Sequence, residues 1–212
     1  MKLLEYKAHD VFHRFGLPSI DGHTAETVEE LKAFDDRLSY PVVIKAQVQT
    51  GNRGKLGGIQ FAENRDELIA KGSQVLGMKI KDLEVKKVFV TPKVDITKEM
   101  YLSFTMDRKT KLGVMIFSPE GGVEINEIAE KNPEKVVKVL LPAKDTLDDY
   151  IIRYAMDTTG FDRAYEKEFM SFCKTLYEVF VKNDCLLAEI NPLVVTADGT
   201  LTALDGKVEV DD

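Results

Sequence analysis

A mixed α+β fold with antiparallel sheets is predicted for this 212-residue sequence, and two observations carry the prediction. Apolar residues recur at helical spacing, as in Leu4, Ala8, Val11, Phe12 and Phe15, between capping and stopping residues. Among these helices lie strand pairs joined by short polar turns, residues 100–107 with 112–117 and 186–195 with 201–207.

The first helix stops at Gly16 and Pro18, and its His9 and His13 stand four apart. A third ligand is missing, so a solvated face is expected for the pair rather than a metal site. Thr27-Val28-Glu29-Glu30 has the form of a capping box and opens a second helix to about Leu38. Pro41-Val42-Val43-Ile44-Lys45-Ala46 reads as a buried strand, Gly58–Phe61 as its partner, and Asn64 caps a helix to about Gly77. A strand from Val85 to Val90 ends at Thr91-Pro92. The 100–117 hairpin follows, with Glu99 before it and the glycine pair Gly121-Gly122 after it; paired glycines mean a close backbone approach or a tight turn. Two helices, around 147–158 and 163–183, supply scaffold. The apolar stripe Phe169, Phe172, Cys173, Leu176, Val179 and Phe180 is ordinary core.

With 36 acidic against 29 basic residues the net charge is −7, which argues against a general nucleic-acid binder. Two cysteines, one in a core stripe, fit a reducing compartment. No run approaches the ~18 apolar residues of a membrane span, and the N-terminus enters an amphipathic helix directly. A cytoplasmic protein is expected, or a mitochondrial-matrix one if this is a processed eukaryotic chain.

Against that acidic background, the stretch from Lys45 to Gly58 stands out. A lysine inside a β-branched strand is costly to bury unless it meets an anion. The loop after it carries Arg53 and Lys55 among Gly51, Gly54, Gly57 and Gly58, and glycines let several N–H groups aim at one anion. A phosphate cradle and a basic turn are both open on this stretch alone.

The last hairpin offers the second half of such a site, depending on register. If Ala197-Asp198-Gly199 is a three-residue loop with Gly199 left-handed, Thr196 opposes Thr200, Asn191 opposes Asp205 and Glu189 opposes Lys207. Glu189, Asn191 and Asp205 then present hard oxygen atoms on one face, as Mg²⁺ prefers. A two-residue loop at Asp198-Gly199 sends Asn191 and Asp205 to opposite faces. Pro192 withdraws a ladder donor beside Asn191.

Lys45-x-Gln47-Val48 followed by Gly-x-Arg-Gly-Lys-x-Gly-Gly, then Lys98–Leu102, Glu120-Gly121-Gly122-Val123-Glu124-Ile125, Glu189-Ile190-Asn191-Pro192-Leu193 and Leu204-Asp205-Gly206-Lys207, resemble the N-terminal ATP-grasp domain of succinyl-CoA ligase β subunits in order and spacing. ATP-citrate lyase and the NDP-forming acyl-CoA synthetases share that domain more distantly. The resemblance covers essentially the whole chain. It implies an ATP-grasp fold of two α+β subdomains with the nucleotide between them: residues about 20–96 inserted in a body formed by 1–19 and 97–212. By position it assigns Lys45, Asn52, Arg53 and Gly54 to the nucleotide phosphates, Glu99 to the ribose, Thr91 and Val94 to the same nucleotide-binding set, and Asn191 and Asp205 to Mg²⁺. The implied reaction joins a carboxylate, succinate or a related acid, to CoA with ATP going to ADP and phosphate, through an acyl phosphate and a phosphohistidine. That histidine is expected on a partner α-type, CoA-binding subunit, since His9, His13 and His23 lie in no recognised loop; no catalytic residue is expected on this chain.

Three departures from the family pattern stand in the sequence. Asn52 replaces a loop glycine, though asparagine tolerates positive φ. Thr91 stands where a glutamate is usual, and Ile20 where GTP-preferring relatives carry a polar residue, which favours ATP over GTP. The CoA-ligase domain that follows in the family is expected to be missing here. A non-catalytic MgATP-binding regulatory module and an ATP-grasp carboxylate–amine ligase are the alternative readings.

Overall fold

A computed structural model describes residues 1–34, 37–51 and 53–211. In chain order its helices and strands are α1 (Glu5–Arg14), β1 (His23–Ala25), α2 (Val28–Lys32), β2 (Val42–Ala46), β3 (Ile59–Ala62), α3 (Arg65–Val75), β4 (Lys79–Ile80), β5 (Leu83–Glu84), β6 (Val88–Pro92), β7 (Ile96–Met106), β8 (Gly113–Ser118), α4 (Ile125–Lys131), β9 (Val137–Leu140), α5 (Asp149–Thr159), α6 (Glu166–Lys182), β10 (Cys185–Thr196), β11 (Leu201–Ala203) and β12 (Gly206–Val210). The chain divides into two compact units, one of Met1–Ser19 with Asp95–Asp212 and one of Ile20–Val94.

The smaller unit is built on the antiparallel sheet β1-β6-β2-β3. Val42, Ile44 and Ala46 alternate into a core with Val88, Val90 and, from α2 and α3, Leu31, Leu68 and Val75. Side chains cap both helices. Thr27 Oγ1 accepts from the Glu30 N–H at 3.1 Å, and Asn64 Oδ1 from the Glu67 N–H at 3.0 Å. The capping box closes one residue early, because Glu30 Oε2 accepts from the Glu26 N–H at 2.7 Å. Three differences from the sequence reading arise here. The α-helical part of α2 ends at Lys32 rather than near Leu38. Strand β1 was not expected. Val85 lies outside β6, because its N–H and carbonyl pair with Met78 and Gly77 at 2.9 and 2.8 Å and close the small β4–β5 hairpin instead.

In the larger unit, β11-β10-β7-β8-β9 form a sheet with β12 also paired to β10. Met100, Leu102 and Phe104 on β7, Met115 and Phe117 on β8 and Ala188 and Ile190 on β10 share a core with α1, α5 and α6. Aromatic contacts join sheet to α6: Phe117 to Phe169 at 4.6 Å and Phe104 to Tyr177 at 5.2 Å between ring centroids. The alternate β7 residues Glu99, Tyr101 and Ser103 therefore point to the sheet's other face. Helix α4 and strand β9, both short, were not expected from the sequence.

Helix α1 corrects one expectation. His9 is buried, as is Glu5 one turn before it, and their side chains lie 3.9 Å apart. The apolar face of α1 is wide enough to take both polar residues, with Phe12 edge-on to the imidazole at 5.9 Å. Only His13 stays exposed, paired with Ser19 Oγ at 2.8 Å.

Candidate functional site

The smaller unit contributes a buried lysine and a tightly held loop. Lys45, 5% exposed, sits in β2 between Ile59 of β3 and Phe89 of β6. Burying an ammonium in such a strand is unfavourable without an anionic or strongly accepting neighbour. The loop from Gln47 to Gly58 is anchored at both ends: the Gln47 N–H donates to Lys87 O at 2.9 Å, and the Ala46 N–H to Gly58 O at 2.7 Å. Arg53 folds inward, Nη1 donating to Ala46 O at 2.9 Å, while its own carbonyl accepts from the Gly58 N–H at 2.8 Å. Gly58 has no room for a side chain, since a Cβ would stand 2.6 Å from Ile80 Cδ1 and 3.1 Å from Arg53 O. Gly54 opens a short 3₁₀ turn and is exposed. Asn52 lies outside the described residues.

Thr91 and Val94 end this unit. Thr91 is fully buried opposite Val43, and its Oγ1 has no hydrogen-bond partner among the described residues. Val94 is half-buried, the last residue of the unit.

The larger unit carries Glu99, Asn191 and Asp205. The β10–β11 connection is the three-residue loop: Thr196 N–H donates to Thr200 O at 3.0 Å, Gly199 has φ +86°, and Val195 pairs with Leu201. The same register runs on, with the Asn191 N–H donating to Asp205 O at 3.2 Å and Glu189 facing Lys207. Asn191 and Asp205 thus occupy facing positions, Asp205 in the short connection between β11 and β12. Toward β7 the register shifts between Ile190 and Leu193, so Asn191 and Pro192 together face Tyr101. Such a bulge re-aims a side chain. Here it turns the Asn191 amide onto the glycine loop, where Oδ1 accepts from the Gly122 N–H at 2.9 Å and Nδ2 donates to Val123 O at 2.8 Å. The donor on one side and acceptor on the other fix which end of the amide is oxygen.

Among the described residues, no group of three or more His, Cys, Asp or Glu is placed to hold a metal ion. Asn191 and Asp205 still fit Mg²⁺, which takes one or two protein oxygens and completes its octahedron with water and phosphate. The Asn191 Oδ1 keeps a second lone pair beyond the one given to Gly122.

Of two further features of this face, the first was not assigned from the sequence and the second decides between a close approach and a plain tight turn at the paired glycines. Tyr101 is buried, and its hydroxyl donates to Glu189 Oε2 at 2.7 Å. Burial, then the Glu189 carboxylate, pushes the phenol well above its ordinary range, so it stays a donor. Second, Gly121 touches backbone: a Cβ there would lie 2.4 Å from the Met100 C and O atoms. The Gly-Gly pair was the available signal for the loop, whereas nothing in the sequence pairs Tyr101 with Glu189.

The family model for the ATP-grasp domain matches residues 2–195. The chain belongs to the ATP-grasp family. It is 43% identical over 213 aligned positions to the β subunit of ADP-forming succinate–CoA ligase from Herpetosiphon aurantiacus, a match that takes in 100% of this chain and 56% of the relative. The ATP-grasp chain therefore spans about half the length of the curated relatives it matches. Among solved structures, acetyl-coenzyme A synthetase 1 of Ca. Korarchaeum cryptofilum, bound to coenzyme A and Ca-AMPCP, superposes with a TM-score of 0.79 at 16% identity, covering 99% of this chain and 93% of that one. Another structure of that synthetase, holding Mg-AMPPCP with a phosphohistidine segment pointing toward its nucleotide site, gives 0.72 at 15% identity, with coverage of 99% and 93%. At these identities the likeness is one of fold. The ATP-grasp architecture with mixed helices and antiparallel sheets agrees with the class read from the sequence. No described helix is long and apolar enough to cross a membrane.

Proposed function

We propose that this chain is the nucleotide-binding part of an acid–thiol ligase, which forms an acyl-CoA from succinate or a related carboxylate and CoA while ATP goes to ADP and phosphate. The observation that carries the reading is the 43% identity, along the whole chain, to the β subunit of an ADP-forming succinate–CoA ligase. The buried Lys45, the anchored loop around Arg53 and the side-by-side Asn191 and Asp205 support it with chemistry suited to a metal-bound triphosphate.

In this reading Lys45 places a positive charge against the phosphates, and Arg53 with the Gly54 backbone holds the same group. Asn52 belongs to that segment by sequence. Asn191 and Asp205 hold Mg²⁺ through their oxygens. Bound there, the ion would supply positive charge against the phosphates. Glu99 accepts hydrogen bonds from the ribose, and Thr91 and Val94 line the nucleotide on the smaller unit. Ile20 favours ATP over GTP. The γ-phosphoryl group passes to a histidine on an α-type partner subunit, then to the carboxylate as an acyl phosphate, and the CoA thiol displaces phosphate to leave the acyl-CoA. The partner also supplies the CoA site, and a CoA-ligase domain completes the assembly. Buried, unpaired Cys173 and Cys185 suit the reducing cytoplasm.

Two measurements test this. Thermal stabilisation by ATP with Mg²⁺, absent with either alone, tests nucleotide binding. Incubation of the chain and a co-expressed α-type subunit with γ-labelled ATP tests the reaction, with acid-labile label on the α subunit as the expected product. Binding without label transfer, for every acid tried, sinks the ligase reading and leaves a regulatory nucleotide module.

A further inference from the structure

Gly122 is the meeting point of two residues that the nucleotide reading uses separately. Its N–H is held by Asn191 Oδ1 at 2.9 Å, and the next carbonyl, Val123 O, by Asn191 Nδ2 at 2.8 Å. Gly122 has φ +74°, a left-handed conformation in which a side chain is strained. A Cβ on it would stand 2.2 Å from Glu99 Oε2 and 3.1 Å from Glu99 Cδ, so the exposed carboxylate rests against the glycine's bare Cα. Gly121 sits as closely on the Met100 backbone, immediately after Glu99, so the loop is seated on the very strand that carries the carboxylate. The bulge at Asn191-Pro192 provides the clamp's aim.

We propose that Asn191 and Gly122 are positioning residues for Glu99: the Asn191 amide clamps the glycine loop in a left-handed turn, and the bare Gly122 leaves the space in which the Glu99 carboxylate is held to receive the ribose hydroxyls of a nucleoside triphosphate. Asn191 then has two jobs. Its oxygen serves the metal, and its whole amide shapes a carboxylate seat on the next strand. The inference rests on the nucleotide reading above and adds to it a reason for the glycine and a second role for the asparagine.

The consequence is specific to the sugar. Loss of hydrogen bonds to a charged acceptor reduces affinity by roughly ten-fold or more, and that loss falls only on ligands that have the hydroxyls. Dissociation constants of MgATP and of its 2′,3′-dideoxy analogue are to be measured by calorimetry on the 212-residue chain and on Gly122→Ala, Asn191→Asp and Glu99→Gln variants, with thermal unfolding to confirm folding. Asn191→Asp keeps an oxygen for the metal but replaces the Nδ2 donor, so it opens the clamp without adding a side chain to the loop. The wild-type chain should prefer ATP to the dideoxy analogue by about ten-fold or more. All three variants should bring that ratio close to one, and Asn191→Asp should still need Mg²⁺. Should Gly122→Ala not fold, Asn191→Asp alone decides. A ratio kept at the wild-type value in folded Asn191→Asp overturns the proposal, as does wild-type protein that binds MgATP with no preference for the ribose hydroxyls. Wild-type protein that does not bind MgATP at all overturns the nucleotide reading together with this one.

Discussion

The Asn191 N–H donates to the Asp205 carbonyl across the last hairpin at 3.2 Å, and that single pairing sets two oxygen-bearing residues at facing positions of the chain. The pairing is fixed at the far end of the hairpin, by Thr196, Thr200 and the left-handed Gly199. Deleting Ala197 shortens the loop to two residues. Because β10 is held on its other side by β7, the slip must fall on the strand carrying Asp205, which turns to the opposite face. The deletion should therefore abolish Mg²⁺-dependent stabilisation by ATP. Gly199→Ala keeps the register at a cost of about 1 kcal/mol and should retain it. Thermal shifts with and without MgATP separate the two.

Lys45 is the residue on which the smaller unit's share of phosphate binding is expected to depend. Lys45→Met keeps the aliphatic stem that packs between Ile59 and Phe89 and removes the charge. The thermal shift given by saturating MgATP should disappear, while far-UV circular dichroism stays that of the wild type. A shift of unchanged size would show that the phosphates lie elsewhere.

How far the sequence disclosed all this differs from residue to residue. The register of the last hairpin was legible only as a choice of two, because Gly199 suits a three-residue loop at Ala197-Asp198-Gly199 and a two-residue loop at Asp198-Gly199 alike, and the Thr196–Thr200 pairing selects the first. The buried strand around Lys45 was fully legible, its β-branched run being uninterrupted. His9 was not, because a histidine on an amphipathic helix looks the same whether the apolar arc stops before it or includes it, and only packing decides. The end of α2, the short α4 and strands β1 and β9 depend on partners remote in sequence. So does the Tyr101–Glu189 hydrogen bond, which spans 88 positions. The double role of Asn191 needed the bulge, and a bulge appears only when β7 is laid beside β10.

Gly121→Ala should be the more damaging of two glycine substitutions in the larger unit. A Cβ at Gly121 meets the Met100 backbone at 2.4 Å, and backbone in the middle of a sheet has nowhere to go. At Gly113 the nearest atom is Leu141 Cδ1 at 3.5 Å, an ordinary contact. Urea unfolding should place Gly121→Ala about 2 kcal/mol or more below the wild type, in the range of overpacked cores, and Gly113→Ala within about 1 kcal/mol. Equal losses at the two sites would refute the close approach at Met100.

Both thiols should be silent in the folded protein and stability should fall in alkali. Burial pushes Cys173 well above its ordinary value, and burial, then the Asp184 charge, raises Cys185 from 9.0 to about 11. Burial, and then Glu189, raises Tyr101; burial, and then Asp145, raises Tyr177. Each of these groups holds its proton more tightly folded than unfolded. Their contribution is complete below the unfolded values and is lost as pH climbs through the folded ones, for Cys185 between 9.0 and about 11. On the acid side the sign reverses. The Lys174 hydrogen bond holds Asp149 low, and Arg153, then Arg163, hold Glu166 low, so their contribution is present above the ordinary carboxylate range and fades as pH falls below it. These carboxylates are partly open to solvent, which screens them, so the acid limb should be shallow and the alkaline limb steep. A thiol reagent such as DTNB at about pH 8, below the thiol values, should release no coloured product from native protein and two equivalents per chain in urea, one from each cysteine. Rapid reaction of one thiol in the native state would mean that Cys185 is not sealed beneath the end of α6.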